Sequence, residues 1–345
     1  MTGTRDVLQL EALQQELLTV CDQYDDSLHE VERLTAEVER LRRAEQALQV
    51  ERDHATRRIT ELVDRERQYR EVAETWVRDS ETMSDEIETA SLVQRFMVRQ
   101  DPIDDVEGVE VASSYRPAGQ TSGDWFGFDR DDHSFTVMLA DATGHGLPAA
   151  LLTAGLFAVT ESLRVVSRMA APTIDLHAHL AMVRQPDLLL QILHETIEVM
   201  GGGRFGVSFI AARYEPGHHL MRIARAAHPP VMWVRRGAAA ATQIMQPSAE
   251  GTMPLGLGGA RRGWAEQRIT LTEGDLLLFH TDGFTDVTDR NGRTLGLRRT
   301  AGWLYDARDL PVAAARDQLQ SRFDEFVSGH VVNDDVTFVL VRITR

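Results

Sequence analysis

Aspartates mark the places where this 345-residue sequence could do chemistry. Asp141 directly follows the apolar run FTVMLA and opens the loop Asp141-Ala142-Thr143-Gly144-His145-Gly146. Asp282 follows DLLLFHT, Asp334 and Asp335 precede VTFVLVRI, and Asp124 stands in Ser122-Gly123-Asp124-Trp125 between two strand-like stretches. An isolated Asp at a strand end reads most simply as a turn residue or a helix cap. Four such positions, each set against an unusually apolar stretch, point elsewhere. Carboxylates held together repel, and their pKa values rise unless a cation joins them. An all-oxygen donor set with water completing the shell suits magnesium or manganese. Two such ions side by side can activate water for phosphate-ester hydrolysis. The neighbouring glycines Gly123, Gly144, Gly146 and Gly283 let backbone come close to the metals.

The elements that must position these groups fall into two halves. From Thr4 to Asp101 there is neither glycine nor proline, which predicts continuous helix. With Leu10 at position a and Leu13 at d, one heptad frame runs through Leu17, Val20, Tyr24, Val31, Leu34, Val38, Leu41, Leu48, Ala55, Ile59, Leu62, Tyr69, Ala73 and Trp76, with Ser27, Glu45, Arg52 and Glu66 as misfits. A repeat held this long predicts a left-handed coiled coil, and β-branched residues at a with Leu at d favour a parallel two-stranded one. The alternative is a single amphipathic helix packed on the next domain. Helix from Leu10 to Trp76 is about 100 Å long, far more than a domain of this size can cover.

After Pro102 short apolar strands alternate with turns. The pattern predicts strands over Val109–Ser114, Phe135–Ala140, Gly206–Arg213, Leu220–Arg225, Val231–Arg235, Asp275–His280 and Val336–Arg342, and helices over Leu147–Met169, Thr173–Met200 and Pro311–Phe326. Helices enter between runs of strands, so the expected class is a layered α+β domain with mostly antiparallel sheets.

The chain carries 37 Lys and Arg against 53 Asp and Glu, a net charge of −16. That balance argues against nucleic acid or an anionic membrane as the main partner. Cys21 is the only cysteine, which suits a reducing compartment. The N-terminus lacks the apolar core of a signal peptide, and the apolar stretch Ala149–Val159 is too short to span a bilayer. The expectation is a cytoplasmic protein.

The ordered motifs SGDWFGF, LADATGHGLPAALL, LLLFHTDGFTD and NDDVTFVLVRI resemble the PPM-type metal-dependent serine/threonine phosphatases, and most nearly their bacterial SpoIIE/RsbU-like branch. The resemblance covers Val93 to the C-terminus. It implies two antiparallel β-sheets sandwiched by helices, preceded here by the long N-terminal α-helical coiled coil, and a site for two Mn2+ or Mg2+ ions. Matched position by position, Asp124, Asp141, Asp282, Asp334 and the carbonyl of Ala142 are the implied metal ligands and catalytic set. Asp335, Gly123 and Gly283 support them; Arg116 and His145 are candidates for contact with substrate. The implied organisation is a coiled-coil dimerisation and regulatory region over 1–82, a switch helix over 83–101, which resembles the family around Ile87–Met97, and a phosphatase domain over 102–345. Relatives act on a phosphoserine or phosphothreonine of a small STAS-type anti-sigma-factor antagonist, so the implied partners are such a protein, a regulator engaging the coil, and a second copy in a parallel homodimer. Two positions depart from the family pattern: Gly127 stands where relatives carry a second aspartate, and Ala227 where they carry glycine before His228. Two other functions compete: a coiled-coil scaffold whose phosphatase-like domain only binds a phosphoprotein, and a hydrolase of small phosphorylated metabolites.

Overall fold

The computed structural model describes residues 3–98, 108–131, 134–144, 146–169, 185–244, 253–257 and 263–345. The chain divides into two compact units, Met1–Thr82 and Met83–Arg345. Helix α1 (Gly3–Met97) makes up the described part of the first and continues into the second without a break, as a stretch free of glycine and proline should. Its heptad side chains, Leu17, Leu34, Leu48, Leu62 and Trp76 among them, are all exposed.

The second unit is built on two five-stranded antiparallel sheets. In chain order the strands are β1 (Val109–Arg116), β2 (Asp124–Asp131), β3 (Ser134–Ala142), β4 (Val207–Glu215), β5 (Leu220–Ala226), β6 (Val231–Val234), β7 (Thr242–Ile244), β8 (Gln267–Thr270), β9 (Leu276–His280) and β10 (Val336–Ile343). One sheet runs β1-β10-β9-β6-β7 and the other β2-β3-β4-β5-β8. Helices α2 (Leu147–Met169) and α3 (Pro186–Gly201) cover the second sheet; α5 (Gly296–Asp306) and α6 (Val312–Val327) cover the first. A single turn of helix, α4 (Asp282–Thr285), follows β9.

Four layers explain why several strands lack polar alternation. In β10, Val339, Val341 and Ile343 face the inter-sheet core while Phe338 and Leu340 pack with Leu304, Leu319 and Phe323 under the helices. A strand covered on both faces reads as a continuous apolar run. Every strand predicted from sequence is present within a residue or two. The helix expected from Thr173 is described from Pro186, where proline takes the first helical position, its missing N–H costing nothing there; residues 173–184 lie outside the described residues. The apolar stretch at Ala149 extends further than the sequence suggested: Leu147–Val166 is long and apolar enough to cross a membrane by composition alone. Here α2 instead packs on β2, β3 and α3 through Ala149, Leu152 and Leu156.

Candidate metal centre

The four aspartates arrive from both sheets. Asp124 opens β2 and Asp141 lies near the end of β3, and the two are direct cross-strand partners. Asp282 begins α4 just after β9, and Asp334 precedes β10, which pairs with β9. The folding reason is the antiparallel pairing: strand starts and neighbouring strand ends meet at one end of the sandwich.

Asp124 is 1% exposed. Its Oδ2 accepts hydrogen bonds from Thr281 Oγ1 at 2.8 Å and Thr337 Oγ1 at 2.6 Å. Thr337 lies in β10 of the opposite sheet and Thr281 directly follows its β9, so one carboxylate is fixed by two hydroxyls from across the sandwich. Sequence reasoning missed both; the signal was a threonine directly before Asp282 and another two residues after Asp335. Asp335 spends both oxygens on backbone, accepting from Ala118 N–H and Gly123 N–H at 2.7 Å each. Asp334 accepts from Asp335 N–H at 2.9 Å and is otherwise exposed.

Two glycines allow the close approach. A Cβ on Gly123 would stand 3.1 Å from the Ala142 carbonyl oxygen, and one on Gly283 would stand 2.0 Å from the Asp335 carbonyl oxygen. Gly283 thus lets α4 lie directly on the chain at Asp334 and Asp335.

The electrostatics follow from this crowding. Burial, then the charges of Asp124, Asp282 and Asp334, push Asp141 up to about 9. Burial also raises Asp124 well above the ordinary carboxylate range, with the Thr337 hydrogen bond opposing it. Burial, then Asp334 and Asp286, raise Asp282, to which Asp141 hydrogen-bonds. Among the described residues no three acidic, His or Cys side chains form a ready-made cage. What exists is an open basin of carboxylates that sense one another's charge. A hard divalent cation that keeps several waters and takes one or two carboxylates fits such an all-oxygen basin.

Two buried imidazoles lie beneath it. His228 Nδ1 is 2.8 Å from Ser208 Oγ, and Ser208 is the β4 partner of Asp141. Burial drives His228 well below its usual range and His280 to about 4, so both are neutral.

The remaining candidates lie elsewhere. Arg116 faces α6, where its Nη1 pairs with Asp324 Oδ1 at 3.0 Å with both side chains about half exposed; the structure does not bring it to the carboxylates. Its neighbour Tyr115 points into the sandwich against Phe126, because successive strand residues face opposite ways. His145 lies outside the described residues. Gly127 has no room for the family's second aspartate: a Cβ there would meet the Trp125 indole at 2.5 Å. Ala227 adopts φ of 52°, a left-handed conformation in which alanine costs about 1 kcal/mol that glycine does not.

The sandwich and its carboxylate basin define a PP2C-like, PPM-type phosphatase fold. The SiaA-PP2C domain of Pseudomonas aeruginosa superposes with a TM-score of 0.59 at 19% identity, over 76% of this chain and 98% of that one. The RsbU and RsbW domains of Rv1364c from Mycobacterium tuberculosis give 0.55 at 21% identity, over 72% and 63%. Residues 131–344 match the family of stage II sporulation protein E (SpoIIE), and the chain belongs to that family. Phosphoserine phosphatase RsbP of Bacillus subtilis (strain 168) is 22% identical over 263 residues, covering 75% of this chain and 58% of that protein. Phosphoserine phosphatase RsbU of the same organism is 25% identical over 207 residues, covering 60% and 55%. The chain thus spans just over half the length of these relatives.

Proposed function

We propose that this protein is a metal-dependent serine/threonine protein phosphatase, with Asp124, Asp141, Asp282, Asp334 and the Ala142 carbonyl holding two Mn2+ or Mg2+ ions. The convergence of four carboxylates from two sheets, one of them locked by Thr281 and Thr337, carries the reading. When bound, the metals supply an activated water and neutralise phosphate charge. The chain's own part is placement. Thr281 and Thr337 orient Asp124, and Asp335 braces the Ser122–Asp124 segment through Gly123 N–H. With both its oxygens so used, Asp335 leaves Asp334 to face the basin. The substrate we assign is a phosphorylated STAS-type antagonist in the cytoplasm, by likeness to relatives named phosphoserine phosphatases.

The first test is hydrolysis of p-nitrophenyl phosphate by the full chain. Turnover should require manganese or magnesium and vanish in EDTA. Turnover that persists in EDTA would dismiss the metal assignment, and no turnover together with no tight binding of two metals would favour the scaffold. Comparing phosphopeptides with phosphorylated metabolites then separates the two enzymatic readings.

Control is assigned to α1. Its exposed heptad stripe is the kind of apolar surface that a partner covers, and a parallel second copy is the occupant its a and d residues suit. A regulatory partner would act by altering that coil. At the other end of the helix, Gln94 is 7% exposed and grips Ser122 twice: Nε2 donates to the Ser122 carbonyl at 2.6 Å, and Oε1 accepts from Ser122 N–H at 2.9 Å. Trp125 Nε1 donates to the Met97 carbonyl at 3.0 Å. The helix tail therefore holds the residues on both sides of Asp124. In a Gln94→Ala variant two buried backbone groups of Ser122 lose their partner, at a cost of about 2 kcal/mol. Manganese titration should show affinity falling roughly tenfold to a hundredfold, the loss usual when an outer-shell support is removed. Unchanged affinity would mean that the helix does not govern the metal site.

A further inference from the structure

A groove of about 1150 Å³ runs between the tail of α1 and the loop after β1, with Glu88, Arg95, Phe96, Tyr115, Pro117 and Gln120 on its walls. The loop wall is tied to the carboxylates at Ala118, whose N–H donates to Asp335 Oδ1. Tyr115 sits where the two meet. Burial raises its hydroxyl above the usual range; Ser122 opposes this by hydrogen bonding, the Asp335 and Asp124 carboxylates add to it, and the Arg95 guanidinium weakly opposes it. Arg95 is exposed, and among the described residues no carboxylate pairs with it. In a chain with 53 acidic residues against 37 basic ones, an arginine on the wall of this groove that pairs with no described carboxylate is available to an anion from outside. Arg116, the arginine that the sequence put forward, already has Asp324.

We propose that this groove receives the phosphorylated segment of the substrate and that the Arg95 guanidinium pairs with its phosphoryl oxygens. The inference rests on the phosphatase reading above and names the residue that binds substrate in it. A guanidinium suits the task because its planar fork presents two parallel N–H donors to a phosphate. Phe96, exposed on the helix, supplies aromatic surface for the flanking peptide. Glu88, seven residues up the helix and so about 10 Å away, gives the far end the opposite sign and orients the anion toward Arg95. Because Arg95 directly follows Gln94, a helix tail drawn away from Ser122 would also withdraw this cation. Metal-site bracing and substrate capture would then be set by one helix position.

The test uses the full chain in manganese, with p-nitrophenyl phosphate, a phosphoserine peptide library with randomised flanks, and inorganic phosphate as competitor. Arg95→Ala should raise KM for both substrates, and Ki for phosphate, roughly tenfold, with kcat little changed because the contact serves ground state and transition state alike. Arg95→Lys should recover part of the loss, since it keeps the charge without the fork. Manganese affinity should stay at the wild-type value. Unchanged KM and Ki in Arg95→Ala would overturn the proposal. So would a KM rise confined to peptides, which would place Arg95 on the flank, or a loss of manganese affinity, which would make it a positioning residue. A wild-type chain that turns over neither substrate in any metal fails the phosphatase reading first, and this inference falls with it.

Discussion

Replacing Asp124 by Asn should lower metal-dependent turnover by roughly a thousandfold, since a metal's charge stabilisation amounts to several kcal/mol, and yet make the metal-free protein more stable. The two effects have one cause. The Asp124 carboxyl is 1% exposed and stands among Asp141, Asp334 and Asp335. Without a cation, burying it at neutral pH costs free energy, whether it is held charged among like charges or takes up a proton. Asn keeps the shape. Its amide oxygen can still accept from Thr281 and Thr337, while the neutral amide removes the repulsion toward the neighbouring carboxylates. The gain in EDTA should be about 1–2 kcal/mol, read from urea denaturation. Adding manganese should reverse the order, because only the wild type gains stability from binding metal. Retained turnover, or a variant less stable than wild type in EDTA, would remove Asp124 from the ligand set.

The carboxylate end of the molecule was legible in the sequence because its strands are buried on both faces. Runs such as VTFVLVRI and LLLFH are too apolar to be anything but interior strands, so an Asp beside them had to lie at a strand end. The long helix was legible for a similar reason, an unbroken stretch without glycine or proline. What escaped was set by contacts between distant segments. β2 carries Gly127, Asp129, Arg130 and Asp131, a composition that argues against a strand; tertiary pairing with β3 overrides it. Gly127 is explained only by the Trp125 indole folded over it. Arg116 and Arg95 look alike in a list of basic residues. Only the strand alternation that turns Arg116 toward α6, and the groove beside the α1 tail, tell them apart. The division of labour between Asp334 and Asp335 likewise depends on backbone donors at Ala118 and Gly123, more than two hundred positions away in sequence.

Gly283→Ala should damage the fold and the carboxylate basin together. The added Cβ would fall 2.0 Å from the Asp335 carbonyl oxygen and 3.5 Å from the Asp334 Cβ. The first of these is backbone and cannot rotate away, so either α4 or the start of β10 must move. Either movement separates Asp282 from Asp334. A shift at β10 also pulls the Asp335 carboxylate from Gly123 N–H, loosening the segment that carries Asp124. Overpacking of this kind costs about 3 kcal/mol, so thermal unfolding should shift down by several degrees. Manganese affinity should fall further than in Gln94→Ala, since two ligand pairs are disturbed at once. Gly302→Ala is the matched control. It adds the same methyl to an exposed face of α5 with nothing within 4 Å, and there alanine should stabilise by about 0.5–1 kcal/mol through helix propensity. Opposite signs at the two glycines would tie the damage to the α4–β10 contact and not to the loss of glycine as such. A Gly283→Ala protein that melts and binds manganese like wild type would show that the contact does not hold the site together.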